Sequence, residues 1–286
     1  MPDAVPNTGP NAAPDAVPGA VPQKNRYYRV RCEDAVHWAQ AVEPETDEPY
    51  PADDQLRLLT GDPLAGGEPT DRIVARDEVE VLVPCTPTKI VGVARNFAAH
   101  AEERERAVPQ EPLIFIKPLT TLTAWNGSIV YPPACERLNY EGEMAVVIGK
   151  EGHNVPMESA MDHVWGYTVV DDVTARDIQN REEAFGRAKG YDTFAPLGPC
   201  VATGLDAETL TVETHVNGEL QQQGSIAHLV HSIPKLIHFI SSIMTLYPHD
   251  VICTGTPKGM IPINPGDIVD VSVAGIGKIS NPVVDP

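Results

Sequence analysis

The stretch NYEGEMAVVIGK, Asn139 to Lys150, decides how this chain is read. Its second half, MAVVIG, is a short apolar run of the kind that forms a buried strand, yet it is entered through two carboxylates, Glu141 and Glu143. Side chains two apart in a strand point to the same face, so both acids crowd one patch. Like charges at that spacing repel, and taking each out of water is costly unless something positive lies between them. Either the strand begins in solvent, or a cation sits there.

A second strand bears on the choice. GYTVVDDVTARD (Gly166 to Asp177) is again apolar and again ends in acids, Asp171 and Asp172. Alternation through Thr168, Val170 and Asp172 puts Asp172 on one face and Asp171 on the other. Three carboxylates from two strand ends, with no His or Cys cluster nearby, suit a hard ion such as Mg²⁺ or Mn²⁺ that takes oxygen ligands and keeps several waters. The plainer alternative is that strand-end acids are simply solvated.

Around these strands the pattern is β-rich. From Lys89 onward, short apolar runs (KIVGVA, PLIFIK, MAVVIG, VWGYTVVDD, PCVAT, TVETHVNG, DVICTG, DIVDVSVAGIG) alternate with turn signals. Helical patterns are few: FAAHAEERERA, TARDIQNREEAF and IPKLIHFISSIMTL. Of these the last carries an apolar stripe at Leu236, Ile237, Ile240, Ile243 and Met244. The fold class expected is α+β, dominated by sheet. No GxGxxG follows a strand, which leaves a dinucleotide-binding reading without support.

Three regions are expected. Residues 1–26 carry proline at 2, 6, 10, 14, 18 and 22, which forbids helix and offers no core, so a disordered, polyproline-like tail is predicted. Residues 27–84 read as a small acidic β-containing module, with strands at YYRVRCED and DEVEVLVP and a linker at PCTPTK. Residues 85–286 form the main domain.

The 286 residues and 42% apolar side chains suffice for one large domain or one and a half. A net charge of -19 repels phosphate backbones and argues against nucleic acid as a partner. No apolar run approaches the roughly 20 residues that cross a bilayer, and no secretory signal is visible at the N-terminus. The five cysteines are widely spaced and include no CxxC, which fits reduced thiols in a cytoplasm and neither a disulfide framework nor a zinc–thiolate site.

The runs VARNFAAHAEE, PLIFIKP, NYEGEMAVVIGK, GYTVVDDVTARDIQ, RAKGYDTFAPLGPCV, VNGELQQQG, SIPKLIHFISSIMTLYPHDVICTGTPKGM and GIGKISNPV together resemble the fumarylacetoacetate hydrolase family. The likeness is closest to its acylpyruvate hydrolase, oxaloacetate decarboxylase and hydroxyheptadienedioate isomerase branch. It spans about residues 89 to 284 in the family's order. The fold it implies is a mixed β-sandwich or roll with a small N-terminal module.

The resemblance also implies a site. Glu141, Glu143 and Asp172 match the family's ligands for a divalent metal, Mg²⁺ or Mn²⁺. His100 and Glu103, which share one face at helical spacing, match a dyad that activates water. A solvated charged helix is the alternative there, since Glu102, Arg104, Glu105 and Arg106 surround them. Lys189 matches a lysine that stabilises a developing enolate or oxyanion. Arg95, Gln179 and Thr256 match positions that hold the substrate's oxygens. Phe97, Asn139, Tyr140, Met260 and Ile261 depart from the common family pattern near the pocket and bear on the substrate.

The implied chemistry is enolate formation from a small 2-oxo acid or 1,3-dicarbonyl substrate. Hydrolysis of a C–C bond in an acylpyruvate or fumarylpyruvate is favoured because both members of the dyad are present. Oxaloacetate-type decarboxylation and 2-hydroxydienoate isomerisation or tautomerisation fit the same site. The resemblance further implies a homodimer. A reading of another class is a catalytically silent relative that keeps its metal for structure, with the tail and acidic module as interaction surfaces.

Overall fold

A strand buried on both faces must be covered on both, and Gly142–Ile148 is buried along its whole length. It pairs antiparallel with Val164–Asp171 on one side, Gly142 opposite Asp171, and with Val251–Cys253 on the other. This register brings the acids of the two strand ends together. The structure, a computed structural model, describes residues 24–42, 54–103, 107–182 and 184–286. Nearly all of the tail expected at 1–26 lies outside those residues, as does the acidic stretch 43–53.

The three central strands belong to a large twelve-stranded sheet. Val251–Cys253 continues it in parallel to Ile90–Ala94, and Leu113–Lys117 closes that edge. Toward the other edge come Ala195–Ala202 and then the N-terminal strands Arg26–Cys32, Ala35–Ala41, Gln55–Leu59 and Pro69–Ala75. A five-stranded sheet containing Thr211–Val216, Glu219–Ser225, Ile268–Val273 and Gly277–Val284 packs on the centre. The sheets come close at Gly142, where an added Cβ would lie 2.0 Å from Thr214 Oγ1 and 2.9 Å from Val271 Cγ1. Only a glycine lets the two sheets meet there. The molecule is thus β-rich α+β with a small N-terminal module, as expected.

That module is continuous with the main sheet, through Arg26 opposite Ala202 and Tyr27 opposite Val201. Its seam is aromatic. The His249 ring stacks on Trp38 at 5.2 Å and meets Trp165 edge-on at 5.4 Å, while its Nε2 lies 2.7 Å from Asp62 Oδ2. The PCTPTK segment is tied down: Cys85 is buried, and the fully buried Asp250 accepts from Thr88 N (2.9 Å), Thr88 Oγ1 (2.7 Å), Lys89 N (3.1 Å) and Tyr247 N (2.8 Å).

Three α-helices form among the described residues, α1 (Ala98–Glu103), α2 (Arg176–Glu182) and α3 (Ile233–Ile243), each within an expected helical run. In α3 Leu236, Ile237 and Ile240 are buried, but Ile243, read as part of the stripe, is exposed where the helix gives way to an extended Met244. In DEVEVLVP the strand is only Glu80–Val81, because a 3₁₀ turn takes Arg76–Glu78. Strands Ala35–Ala41, Gln55–Leu59 and Pro69–Ala75 form in sequence that alternates poorly, and pairing with neighbours supplies what local pattern lacks.

Candidate functional site

Glu141, Glu143 and Asp172 are all buried, and each offers a carboxylate oxygen lying within 4.8 Å of the other two. Solvation is therefore not what holds these acids. Instead three buried cations surround them. Lys117 Nζ lies 2.6 Å from Asp172 Oδ1, Lys189 Nζ lies 3.0 Å from Glu141 Oε2 and also touches Asp172 Oδ2, and Arg176 Nη2 pairs with Glu141 Oε1. Among the described residues Glu143 has no such ion-pair partner; its Oε2 accepts from the Gly255 N–H at 2.7 Å.

The two acids of the E-x-E pair are consequently pushed apart in acidity. Burial raises Glu141, but Lys189 and Arg176 outweigh it and hold the carboxyl below its usual range. At Glu143 burial acts together with Asp172 and Glu141 and drives the carboxyl well above that range. Lys189 feels burial against its charge, yet Asp172 and Glu141 raise it. Asp171, on the opposite strand face, accepts from Glu141 N at 2.7 Å and is pushed up to about 7, mostly by burial.

The donor set is all oxygen and the three atoms converge, which fits a hard divalent cation. Such an ion beside Glu143 would favour its ionised form. Cys253 also lies near, and burial, with Glu143 and Asp172, holds its thiol well above the ordinary value.

A cavity of about 250 Å³ opens above the acids, lined among others by Arg95, His100, Glu141, Gln179, Lys189 and Thr256. Glu143 and Asp172 adjoin it through Glu141, within 4.8 Å of that carboxylate, and Glu103 adjoins it through His100. Of the residues expected at the site, all nine are thus gathered around one place. His100 is buried on α1, with Nδ1 3.6 Å from Glu103 Oε2. Glu103 Oε1 accepts from Gly259 N at 3.0 Å. Arg95 has φ 56°, a left-handed backbone that turns the chain out of strand Ile90–Ala94. Gln179 Oε1 accepts from Arg176 Nη1. The Thr256 hydroxyl donates to Gly142 O and accepts from Gln222 Nε2, both at 2.9 Å.

Sequence reasoning passed over Lys117, Arg176, Asn96 and Gln222. Lys117 was within reach: alternation in PLIFIK puts it on the buried face with Phe115. A lysine on such a face needs a buried anion. Asn96 fastens the cavity's rim, donating to Thr254 O (2.8 Å) and His231 O (3.1 Å) and accepting from His231 N (2.7 Å). Its partners are far away in sequence, and no local signal marks it.

Comparison with known proteins agrees with the site. Residues 89–284 match the family described as fumarylacetoacetate (FAA) hydrolase C-terminal. This chain belongs to the fumarylacetoacetate hydrolase family. Residues 25–84 match a second family, described as Rv2993c-like, N-terminal. Among the family's curated members, oxaloacetate tautomerase YisK of Bacillus subtilis is 41% identical over 215 residues, 70% of this chain and 71% of that one. The crystal structure of 5-carboxymethyl-2-hydroxymuconate delta-isomerase from Mycobacterium smegmatis superposes with TM-score 0.82 at 37% identity, covering 91% of this chain and all of that one. Fumarylpyruvate hydrolase from Pseudomonas aeruginosa, solved with Mn²⁺ and pyruvate, gives TM-score 0.67 at 29% identity over 76% of this chain and 93% of that one. Named family members are enzymes acting on small acids, and they include tautomerase, isomerase and hydrolase.

Proposed function

We propose that this protein is a Mg²⁺- or Mn²⁺-dependent enzyme that moves a proton to and from the enol form of a small 2-oxo acid, with an oxaloacetate-type acid as its substrate. The observation that carries the reading is the convergence of Glu141, Glu143 and Asp172 under a cavity holding a buried imidazole. Tautomerisation takes precedence over C–C hydrolysis because a named relative at 41% identity is an oxaloacetate tautomerase, whereas the hydrolase is at 29%.

A divalent ion held by the three acids would act as a Lewis acid on the keto oxygen of the substrate. The chain's own residues do the rest. His100 turns Nδ1 toward Glu103, which leaves Nε2 to take the proton from the carbon beside the keto group. Glu103 favours the imidazolium so formed, and Gly259 N–H fixes Glu103. The Lys189 ammonium faces the negative oxygen that develops. Arg95 and Gln179 line the cavity where substrate carboxylate and carbonyl oxygens lie. Returning the proton to oxygen or carbon completes a tautomerisation. The same His100–Glu103 pair could instead activate water against a distal carbonyl of an acylpyruvate, and its presence is what keeps hydrolysis as the second reading.

The test follows exchange of the C3 protons of oxaloacetate in deuterated buffer by NMR, with Mg²⁺ or Mn²⁺ and an EDTA control, beside acetylpyruvate assayed for pyruvate and acetate. Metal-dependent exchange that His100→Asn abolishes supports proton transfer, and joint release of pyruvate and acetate supports hydrolysis. If neither reaction exceeds the metal-only blank, the proposal is wrong; oxaloacetate decarboxylation and 2-hydroxydienoate isomerisation are then the readings to assay, and the silent-relative reading takes their place if those fail too.

We infer a homodimer as well. Among the described residues Leu113–Lys117 is an edge strand; it carries exposed Ile116 and is followed by exposed Leu119, and a second copy would cover this edge. Light scattering at twice the 30.9 kDa chain mass is expected, and the single-chain mass would refute it. Five free cysteines, four of them buried, accord with work in the reducing cytoplasm.

A further inference from the structure

The peptide between the two acids is held by a closed circuit of hydrogen bonds. Gly142 N–H donates to Gln222 Oε1 (3.2 Å), Gln222 Nε2 donates to Thr256 Oγ1 (2.9 Å), and Thr256 Oγ1 donates back to Gly142 O (2.9 Å). All three residues are buried. The Gln222 amide can stand only one way round. Its Nε2 also donates to Pro257 O at 2.7 Å, and reversing the group would set N–H against the Gly142 N–H. The circuit does not stand alone. Thr254 Oγ1 donates to Met144 O (2.7 Å) and Gly255 N to Glu143 Oε2 (2.7 Å), so residues 254–256 grip residues 142–144 step by step. Gln222 comes from another sheet and closes the grip from the far side.

We propose that Gln222, acting through Thr256, is a positioning residue for the Glu141–Gly142–Glu143 segment, holding the two carboxylates at metal-binding separation against their mutual repulsion. This rests on the metal reading given above. Bonds in a ring polarise one another, so breaking any one loosens the others. Partners that orient ligands in this way change metal affinity about 10- to 100-fold when removed.

The test is Mn²⁺ binding to the full chain, after EDTA treatment and desalting, by titration calorimetry and by the electron paramagnetic resonance signal of free Mn²⁺. Gln222→Leu and Thr256→Val are each expected to weaken binding at least tenfold. The double variant should be little worse than either, because both open the same ring, and Thr256→Ser should restore affinity. Val283→Ala, a cavity in the same five-stranded sheet away from the ring, controls for general loosening and should bind as the wild type does. Gln222→Leu within twofold of a metal-binding wild type would overturn the positioning role alone, and so would an equal loss in Val283→Ala. A wild type that takes up no Mn²⁺ at all sinks the metal reading and this inference with it. Should Gln222→Leu fail to fold, Thr256→Val against Thr256→Ser decides the matter.

Discussion

Gly142→Ala tests whether the two sheets do close on the residue between the acids. The new Cβ would sit 2.0 Å from Thr214 Oγ1 and 2.9 Å from Val271 Cγ1, so the sheets must part by more than an ångström or Thr214 must turn. Overpacking of this kind costs about 1–3 kcal/mol. Against it stands the smaller entropy of an unfolded alanine, about 0.4–1 kcal/mol in favour of the variant. Gly142 is not among the residues at positive φ, so no backbone strain is added. The net expectation is a loss of about 1–2 kcal/mol. Thr214 Oγ1 is buried and has no hydrogen-bond partner among the described residues, so Thr214→Ala removes the obstacle without breaking a bond. Urea melts of the metal-free protein should therefore show a coupling of about 1 kcal/mol in the double-mutant cycle, with Gly142→Ala costing less when it is combined with Thr214→Ala. Identical costs in both backgrounds, within about 0.5 kcal/mol, would refute the reasoning.

Further outcomes follow from other parts of the molecule. Asp250→Ala removes the buried carboxylate that three backbone N–H groups and the Lys89 ammonium share, and should lower stability in urea by about 2 kcal/mol; a loss below about 0.5 kcal/mol would show these bonds to be dispensable. Tyr167 is pushed up to about 12 by burial, so the stability it gives is complete below its unfolded value near 10 and is lost as pH rises through 12. Wild type should therefore lose about 1 kcal/mol more than Tyr167→Phe between pH 9 and pH 11, and parallel curves would contradict this. Cys85, Cys135, Cys200 and Cys253 are buried, with burial pushing Cys85 to about 12 and Cys135 to about 11, while Cys32 is partly exposed. A disulfide reagent should label one thiol quickly in the native protein and five in denaturant; a second fast thiol would show that the core opens.

The sequence by itself determined the β-rich class, since period-2 apolar runs bounded by turns need no partner to be recognised. It also singled out the acids: two carboxylates on one strand face and a third at the next strand's end left a cation or plain solvation open, and the family resemblance chose the cation. The antiparallel register of Gly142 with Asp171 then made the three converge. What the tertiary structure decided was everything that depends on partners distant in the chain. The counter-charges Lys117, Arg176 and Lys189 come from a sheet edge, a helix and a loop, and no spacing predicts that they meet. The opposite acidities of Glu141 and Glu143, identical residues two apart, follow from which of them those cations touch. Gln222 lies in a run of three glutamines, and only the packing of one sheet on another selects the one that reaches Gly142. Local pattern fixes which face a side chain takes; charge compensation and hydrogen-bond closure arise between segments, and so appear only once the chain is folded.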